Sequence, residues 1–109
     1  MMDEQEFKKR ADEALEQLYR KLTAASDRHE LEADFNAGAL AIEFEDPPAK
    51  FVVSPNSPVR QIWVSALTKS FKLSWDPARS VFVLPETGET LEEMVGGAIS
   101  KHLGETVTL

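Results

Sequence analysis

The sequence predicts an α+β fold: a two-layer sandwich of one helix, six antiparallel strands and a second helix, with both helices on one face of the sheet. Three observations carry this. Apolar residues recur every three or four positions near the two ends of the chain and every second position between them. The alternating runs are joined by short turns, which implies an antiparallel meander of consecutive strands. Two one-sided helices then cover the apolar face of the sheet, while its other face stays polar.

The first helix is predicted from about Asp3 to Ala25. Phe7, Ala11, Leu15, Leu18 and Leu22 form one apolar stripe. Asp3 and Glu6 have the spacing of a capping box. Acids crowd the first turn, and Arg20 and Lys21 approach the end, both in the sense that complements the helix dipole. Glu4 with Lys8, Glu6 with Arg10, and Glu16 with Arg20 are spaced to pair along the helix surface.

From His29 the period becomes two. Leu31, Ala33 and Phe35 alternate with Glu30, Glu32 and Asp34, a half-buried strand. Asn36-Ala37-Gly38 supplies turn chemistry. In the second strand Leu40, Ile42 and Phe44 face inward, and Ala41, Glu43 and Glu45 face outward, up to Asp46-Pro47-Pro48. A short third strand runs from Lys50 to Ser54. The following Pro55 and Pro58 predict a loop, because proline cannot donate to a ladder. Arg60 to Leu67 is the fourth strand, with Ile62, Val64 and Ala66 inward against Gln61, Trp63 and Ser65. Phe71, Leu73 and Trp75 mark a fifth strand, with Trp75 expected in the core. After the Asp76-Pro77 turn, Val81 to Leu84 is the sixth.

The last helix spans about Leu91 to Leu103. Thr90 and Glu93 form its capping box, Leu91, Met94, Val95, Ala98 and Ile99 its stripe, and Gly104 its C-terminal stop. Gly96 and Gly97 lie mid-helix, where each costs about 1 kcal/mol against alanine. A close approach of the two helices would account for them. Val107 and Leu109 in the tail are placed to plug a groove.

The 109 residues fit one domain. Twelve Lys and Arg face 19 Asp and Glu, a net charge of −7. Such a surface argues against nucleic acid, whose binding rests on phosphate neutralisation, and against anionic membranes. It suits metal cations or a basic protein partner. With no cysteine, thiolate catalysis and thiolate ligation of zinc or an iron–sulfur cluster are excluded. No apolar run has membrane-spanning length, and the acidic start is unlike a signal or transit peptide. The expectation is a cytoplasmic protein.

The outer face of the first hairpin is the main candidate for chemistry. With Asn36 to Ala39 as the connection, Glu32 lies opposite Glu43 and Glu30 opposite Glu45. Opposed like charges destabilise a sheet, so a bound cation or a basic partner would relieve them. Carboxylates suit hard cations, ferric iron among them. No EF-hand, paired histidines or two-histidine carboxylate set is present, so a metal site here would be open, water-rich and weak. His29 and His102 read as ordinary surface residues. The acids also admit a plain reading as a solvated face. Trp63, on the uncovered face between Gln61 and Ser65 with Arg60 and Lys72 in reach, reads equally as a partner anchor or as an indole lying flat on its own sheet. No serine, histidine and carboxylate are grouped, and no phosphate loop exists.

Several segments together resemble one family. Gln61-Ile62-Trp63-Val64-Ser65, with Pro58 three residues before it, is similar to the Q-[IV]-W-[LV]-[SA] strand of the frataxins. Asn36-Ala37-Gly38-Ala39-Leu40 resembles their turn into the second strand, and Gly88-Glu89-Thr90-Leu91 the opening of their second helix. Gly104-Glu105-Thr106-Val107 resembles the tail of the bacterial, CyaY-type members, and Phe7 with Ala11-Asp12 the start of their first helix. The likeness covers residues 1–109 as one frataxin-like domain.

The resemblance implies a role in iron–sulfur cluster assembly as a non-enzymatic iron-binding adaptor and regulator, expected to be monomeric. Its implied partners are a cysteine desulfurase and the scaffold protein beside it. Its implied cargo is iron, Fe²⁺ or Fe³⁺, weakly bound at the surface. The implied iron positions are Glu16, Asp27, Glu30 and Glu32, with Asp12 and Asp34 nearby. The implied partner face holds Trp63, with Gln61, Ser65 and Arg60 around it. Two other readings stand beside this one: a ferroxidase that assembles into iron-storing oligomers, and a metal-independent modulator of the desulfurase. Where the family crowds acids late in the first helix, this chain has Tyr19, Arg20, Thr23 and Ala24, then Ser26 and Arg28. That thinning argues against high-capacity iron binding and ferroxidase activity.

Overall fold

A computed structural model describes residues 2–109. The chain runs α1 (Glu4–Ala25), β1 (Glu32–Asn36), β2 (Ala39–Glu45), β3 (Pro48–Asn56), a 3-10 turn (Ser57–Val59), β4 (Gln61–Ala66), β5 (Lys69–Asp76), β6 (Val81–Val83) and α2 (Leu91–Leu103). The strands form one antiparallel sheet in sequence order, β1 to β6. The predicted α+β architecture is the observed one.

Both helices turn their stripes to the same sheet face. Phe7, Leu15, Leu18 and Leu22 of α1 and Leu91, Val95 and Ile99 of α2 share one core with Leu40, Ile42, Phe51, Val53, Ile62, Val64, Leu73 and Phe82. Phe7 meets Phe82 edge to face, ring centroids 5.9 Å apart. Lys21 of α1 reaches across to Glu92 of α2, Nζ to Oε1 2.6 Å, so it ties the helices together rather than capping its own. The last turn of α1 carries no basic residue.

The helix starts follow their caps. The Asp3 carboxylate accepts from the Glu6 backbone N–H at 2.8 Å, but Glu6 points its carboxylate toward Arg10 at 3.8 Å, so only half of the predicted box forms. On α2 the box is complete: Glu93 N–H donates to Thr90 Oγ1 at 3.2 Å, and Thr90 N–H to Glu93 Oε1 at 2.9 Å. That hydrogen bond to the Thr90 backbone holds the Glu93 carboxyl below its ordinary pKa.

Four expectations need correction. The first strand starts at Glu32, not His29: after α1 the chain winds through turns in which Arg28 and His29 N–H groups donate to Ala25 O. The third strand runs on through Pro55, which pairs with Ile62. Proline is tolerated there because β3 outruns β2: the last β2 partner on that side is Leu40, opposite Val53. Arg60 lies outside β4, in the left-handed region at φ 52°, closing the 3-10 turn. Trp75 is only half-buried, with the Arg10 guanidinium 5.4 Å from its ring centre.

The mid-helix glycines also have a different cause. A Cβ on Gly96 would meet Val107 O at 3.4 Å and the Leu109 side chain at 3.6 Å, so the tail, not α1, approaches there. Ser100 anchors that tail, its Oγ donating to Gly96 O at 2.8 Å and accepting from Val107 N–H at 2.8 Å. Val107 is buried, as the plugging role requires. Gly97 faces open space.

Candidate functional site

The turn at Ala37 and Gly38, both at positive φ, sets the register of the first hairpin. Phe35 opposes Leu40, and Glu32 opposes Glu43, as the alternation predicts. On its other side Glu43 faces Lys50 of β3. Among the described residues no ion pair within 4 Å forms on this hairpin. The acids here are therefore solvated, with Lys50 a neighbour rather than a bonded partner.

Glu30 does not oppose Glu45 in the ladder, because β1 has not yet begun. The two nevertheless border the same hollow. Glu30, Glu32, Glu43 and Glu45 line one open hollow of about 350 Å³, with Ser26, His29, Leu31 and Phe44. Four carboxylates share this space with no cation among its lining residues other than His29 when protonated. Its Nδ1 lies 3.2 Å from Glu105 Oε2 in the tail, at an angle that makes no hydrogen bond. Glu43 and Glu45 belong to the site on this geometry. The hairpin register already implied it, since a face is shared across strands as well as along one.

The other proposed iron positions do not line this hollow. Asp27 sits in the turn after α1, and Asp34 stands on the open face opposite Ala41. Asp12 and Glu16 line a separate hollow with Leu15, Tyr19, Phe35 and Gly38. There Phe35 is not buried as its strand position suggested. It stands 47% exposed at the sheet edge with its ring 5.1 Å from Tyr19. Glu16 is also held by Arg20, Oε1 to Nη2 2.7 Å. So Glu30 and Glu32 share one hollow that Asp12, Glu16, Asp27 and Asp34 do not line, and Asp12 and Glu16 line another. Among the described residues no group of three or more potential metal ligands converges tightly enough to hold an ion.

The open sheet face carries the second candidate. Trp63 projects from it at 38% exposure, between Ser54 of β3 and Lys72 of β5. The Lys72 ammonium stands 4.9 Å from the indole centre, and the indole Nε1–H donates to Gln61 Oε1 at 3.1 Å. Both contacts fix the ring while leaving one side free, which suits a rigid anchor. Ser65, exposed, lies between Val52 and Ser70 on the same face. Arg60 is engaged internally: its Nε donates to Met2 O and its Nη1 to Ser57 O, each at 3.1 Å.

His102 is not an ordinary surface residue. Its ring packs 4.7 Å from Phe44 and 5.9 Å from Phe51, and its Nε2 lies 2.8 Å from Pro47 O. No helix among the described residues is long and apolar enough to cross a membrane.

Residues 1–105 match the family model of a frataxin-like domain. The chain is 30% identical to the iron-sulfur cluster assembly protein CyaY of Cupriavidus metallidurans, over 99% of this chain and 96% of that one. It is 26% identical to the protein of the same name from Thioalkalivibrio sulfidiphilus, over 94% and 95%. A solved structure of the frataxin from Psychromonas ingrahamii superposes with a TM-score of 0.77 at 25% identity, over 98% of this chain and 97% of that one.

Proposed function

This chain belongs to the frataxin-like family, and on that premise we propose that it serves iron–sulfur cluster assembly as an iron-binding adaptor rather than as an enzyme. Iron is its cargo, weakly held by surface carboxylates and water. The observation that carries this reading is the hollow at the hairpin, where Glu30, Glu32, Glu43 and Glu45 share one open space and Glu32 opposes Glu43. A cation entering there relieves like-charge repulsion, so binding is favourable without a tight cage. Asp27 and Asp34 extend the acidic surface on either side. Asp12 and Glu16 form a second, weaker locus because Arg20 already neutralises Glu16.

The protein partner is a cysteine desulfurase, with the scaffold protein beside it. Its basic surface is drawn to the acids, and Trp63 supplies the apolar anchor with Gln61 and Ser65 around it. The guanidinium of Arg60 contributes to this face only indirectly, by holding the turn that leads into β4. A metal-independent modulator of the desulfurase remains the second reading. It is favoured by one observation: the carboxylates are spread over separate places rather than converging on one ion.

The test is binding of the host's purified desulfurase with and without ferrous iron. Wild type is compared with Trp63→Ala and with Glu30→Lys/Glu32→Lys, and iron binding is scored separately. The adaptor reading expects both variants to weaken desulfurase binding and only the charge reversal to weaken iron binding. Unchanged desulfurase binding in both variants overturns it. Loss of desulfurase binding with iron binding untouched in the reversal selects the metal-independent modulator.

A further inference from the structure

An apolar trough of about 420 Å³ runs between the β4–β5 turn and α2. Leu67, Phe71, Met94 and Ala98 supply its apolar walls, and Lys69 and Lys101 stand on opposite lips. Three sequence choices meet there, and none returns anything to the fold. Leu67 occupies a left-handed turn position at φ 59° while 61% exposed, a conformation disfavoured for a residue with a bulky side chain. Gly97 weakens α2, yet a Cβ at that position would meet nothing within 4 Å. Neither Lys69 nor Lys101 has a carboxylate within 4 Å among the described residues. In a chain of net charge −7, two unpaired lysines flanking an exposed leucine are a local reversal of sign. The one acid of the trough, Glu89, accepts from Thr87 Oγ1 at 2.9 Å, which turns its carboxylate into the preceding loop.

We propose that this trough is a second docking surface, and that its occupant is a partner-protein segment bearing leucine-sized side chains flanked by carboxylates. Apolar side chains fill the space over Gly97 against Leu67 and Met94, and flanking acids meet Lys69 and Lys101. The charge complementarity is local: in a chain of net charge −7, Lys69 and Lys101 offer an acidic segment two unpaired cations beside an apolar surface, which gives orientation as well as attachment. Two cations on different elements, Lys69 on β5 and Lys101 on α2, suit a segment with several carboxylates better than an acyl chain with one.

The test is amide NMR titration of the full chain with an acetylated, amidated hexapeptide of alternating leucine and glutamate. Its lysine counterpart and octanoate serve as comparison probes. The proposal expects shifts confined to residues 66–69 and 94–102 with the acidic peptide. It also expects at least tenfold weaker binding in Lys69→Glu/Lys101→Glu, and loss of binding in Gly97→Leu, whose new side chain fills the trough. Leu67→Ser replaces Gly97→Leu if that variant melts early. Absence of shifts at millimolar peptide overturns the proposal. So does equal binding of the lysine peptide, or binding undiminished by the charge reversal. Shifts produced by octanoate but not by the peptide also overturn it, assigning the trough to a fatty-acid-like ligand instead.

Discussion

Replacing Glu32 by glutamine stabilises this protein, because the hairpin holds two carboxylates directly opposite each other. Glu32 and Glu43 are ladder partners. Opposed Cβ atoms in an antiparallel pair lie about 4.5–5.5 Å apart, and a like-charged pair there costs roughly 0.2–1 kcal/mol. Both side chains are exposed, so the middle of that range, about 0.5 kcal/mol, is the expected gain. Lys50, on the other side of Glu43, attracts Glu43 and leaves Glu32 as the residue with more to gain. Glu43→Gln therefore gains less than Glu32→Gln. For a domain of this size 1 kcal/mol moves Tm by about 4–8 °C, so Glu32→Gln raises it by about 2–4 °C. The assay is thermal unfolding at low ionic strength and again at about 1 M salt, where the Debye length falls to roughly 3 Å and the gain disappears. A Glu32→Gln variant that is neutral or less stable at low salt, or a gain that salt leaves untouched, refutes the electrostatic reasoning.

Gly97→Ala stabilises α2 by about 0.8–1 kcal/mol, since the new methyl meets nothing, and urea unfolding that shows no gain contradicts the assignment of Gly97 to the trough rather than to packing. Ser100→Ala releases the tail from its half-buried anchor and lowers stability by about 1–2 kcal/mol, with faster amide exchange at Val107 as the specific sign. The Glu93 carboxyl is held below its ordinary value of 4.5 by the Thr90 backbone N–H. A folded pKa below the unfolded one contributes stability above the unfolded value and loses it as pH falls through the folded value. The stability advantage of wild type over Glu93→Gln is therefore full above about pH 4.5 and shrinks below it. A difference that does not change with pH contradicts the capping role.

The parts of the fold legible in the sequence were those written in side-chain periodicity. The stripe of α1 and the inward set of β2 and β4 each repeat with one element's geometry, and the short Ala37-Gly38 turn leaves a single register. The parts that escaped depend on neighbours distant in sequence. Pro55 looks like a strand breaker until β2 is seen to stop short of it. Gly96 looks like a helix–helix contact until the tail folds back to within 3.4 Å of where its Cβ would be. Arg60 looks free for a partner until the backbone of Met2 arrives at its Nε.

The acidic site divides the same way. Glu32 and Glu43 follow from register alone. The sharing of one hollow by Glu30 and Glu45 depends on the turns after α1, and neither alternation nor composition describes those. Asp12 and Glu16 share the helix surface that spacing predicts, but lie over Tyr19 and Phe35 rather than beside the hairpin acids.

Anaerobic titration of ferrous iron, followed by amide NMR, tests the central claim most directly. The account predicts that the largest changes fall in residues 27–34 and at Glu43 and Glu45, with weaker ones near Asp12 and Glu16. Resonances of the hairpin acids that stay unmoved while iron perturbs other surfaces, or none, would contradict it.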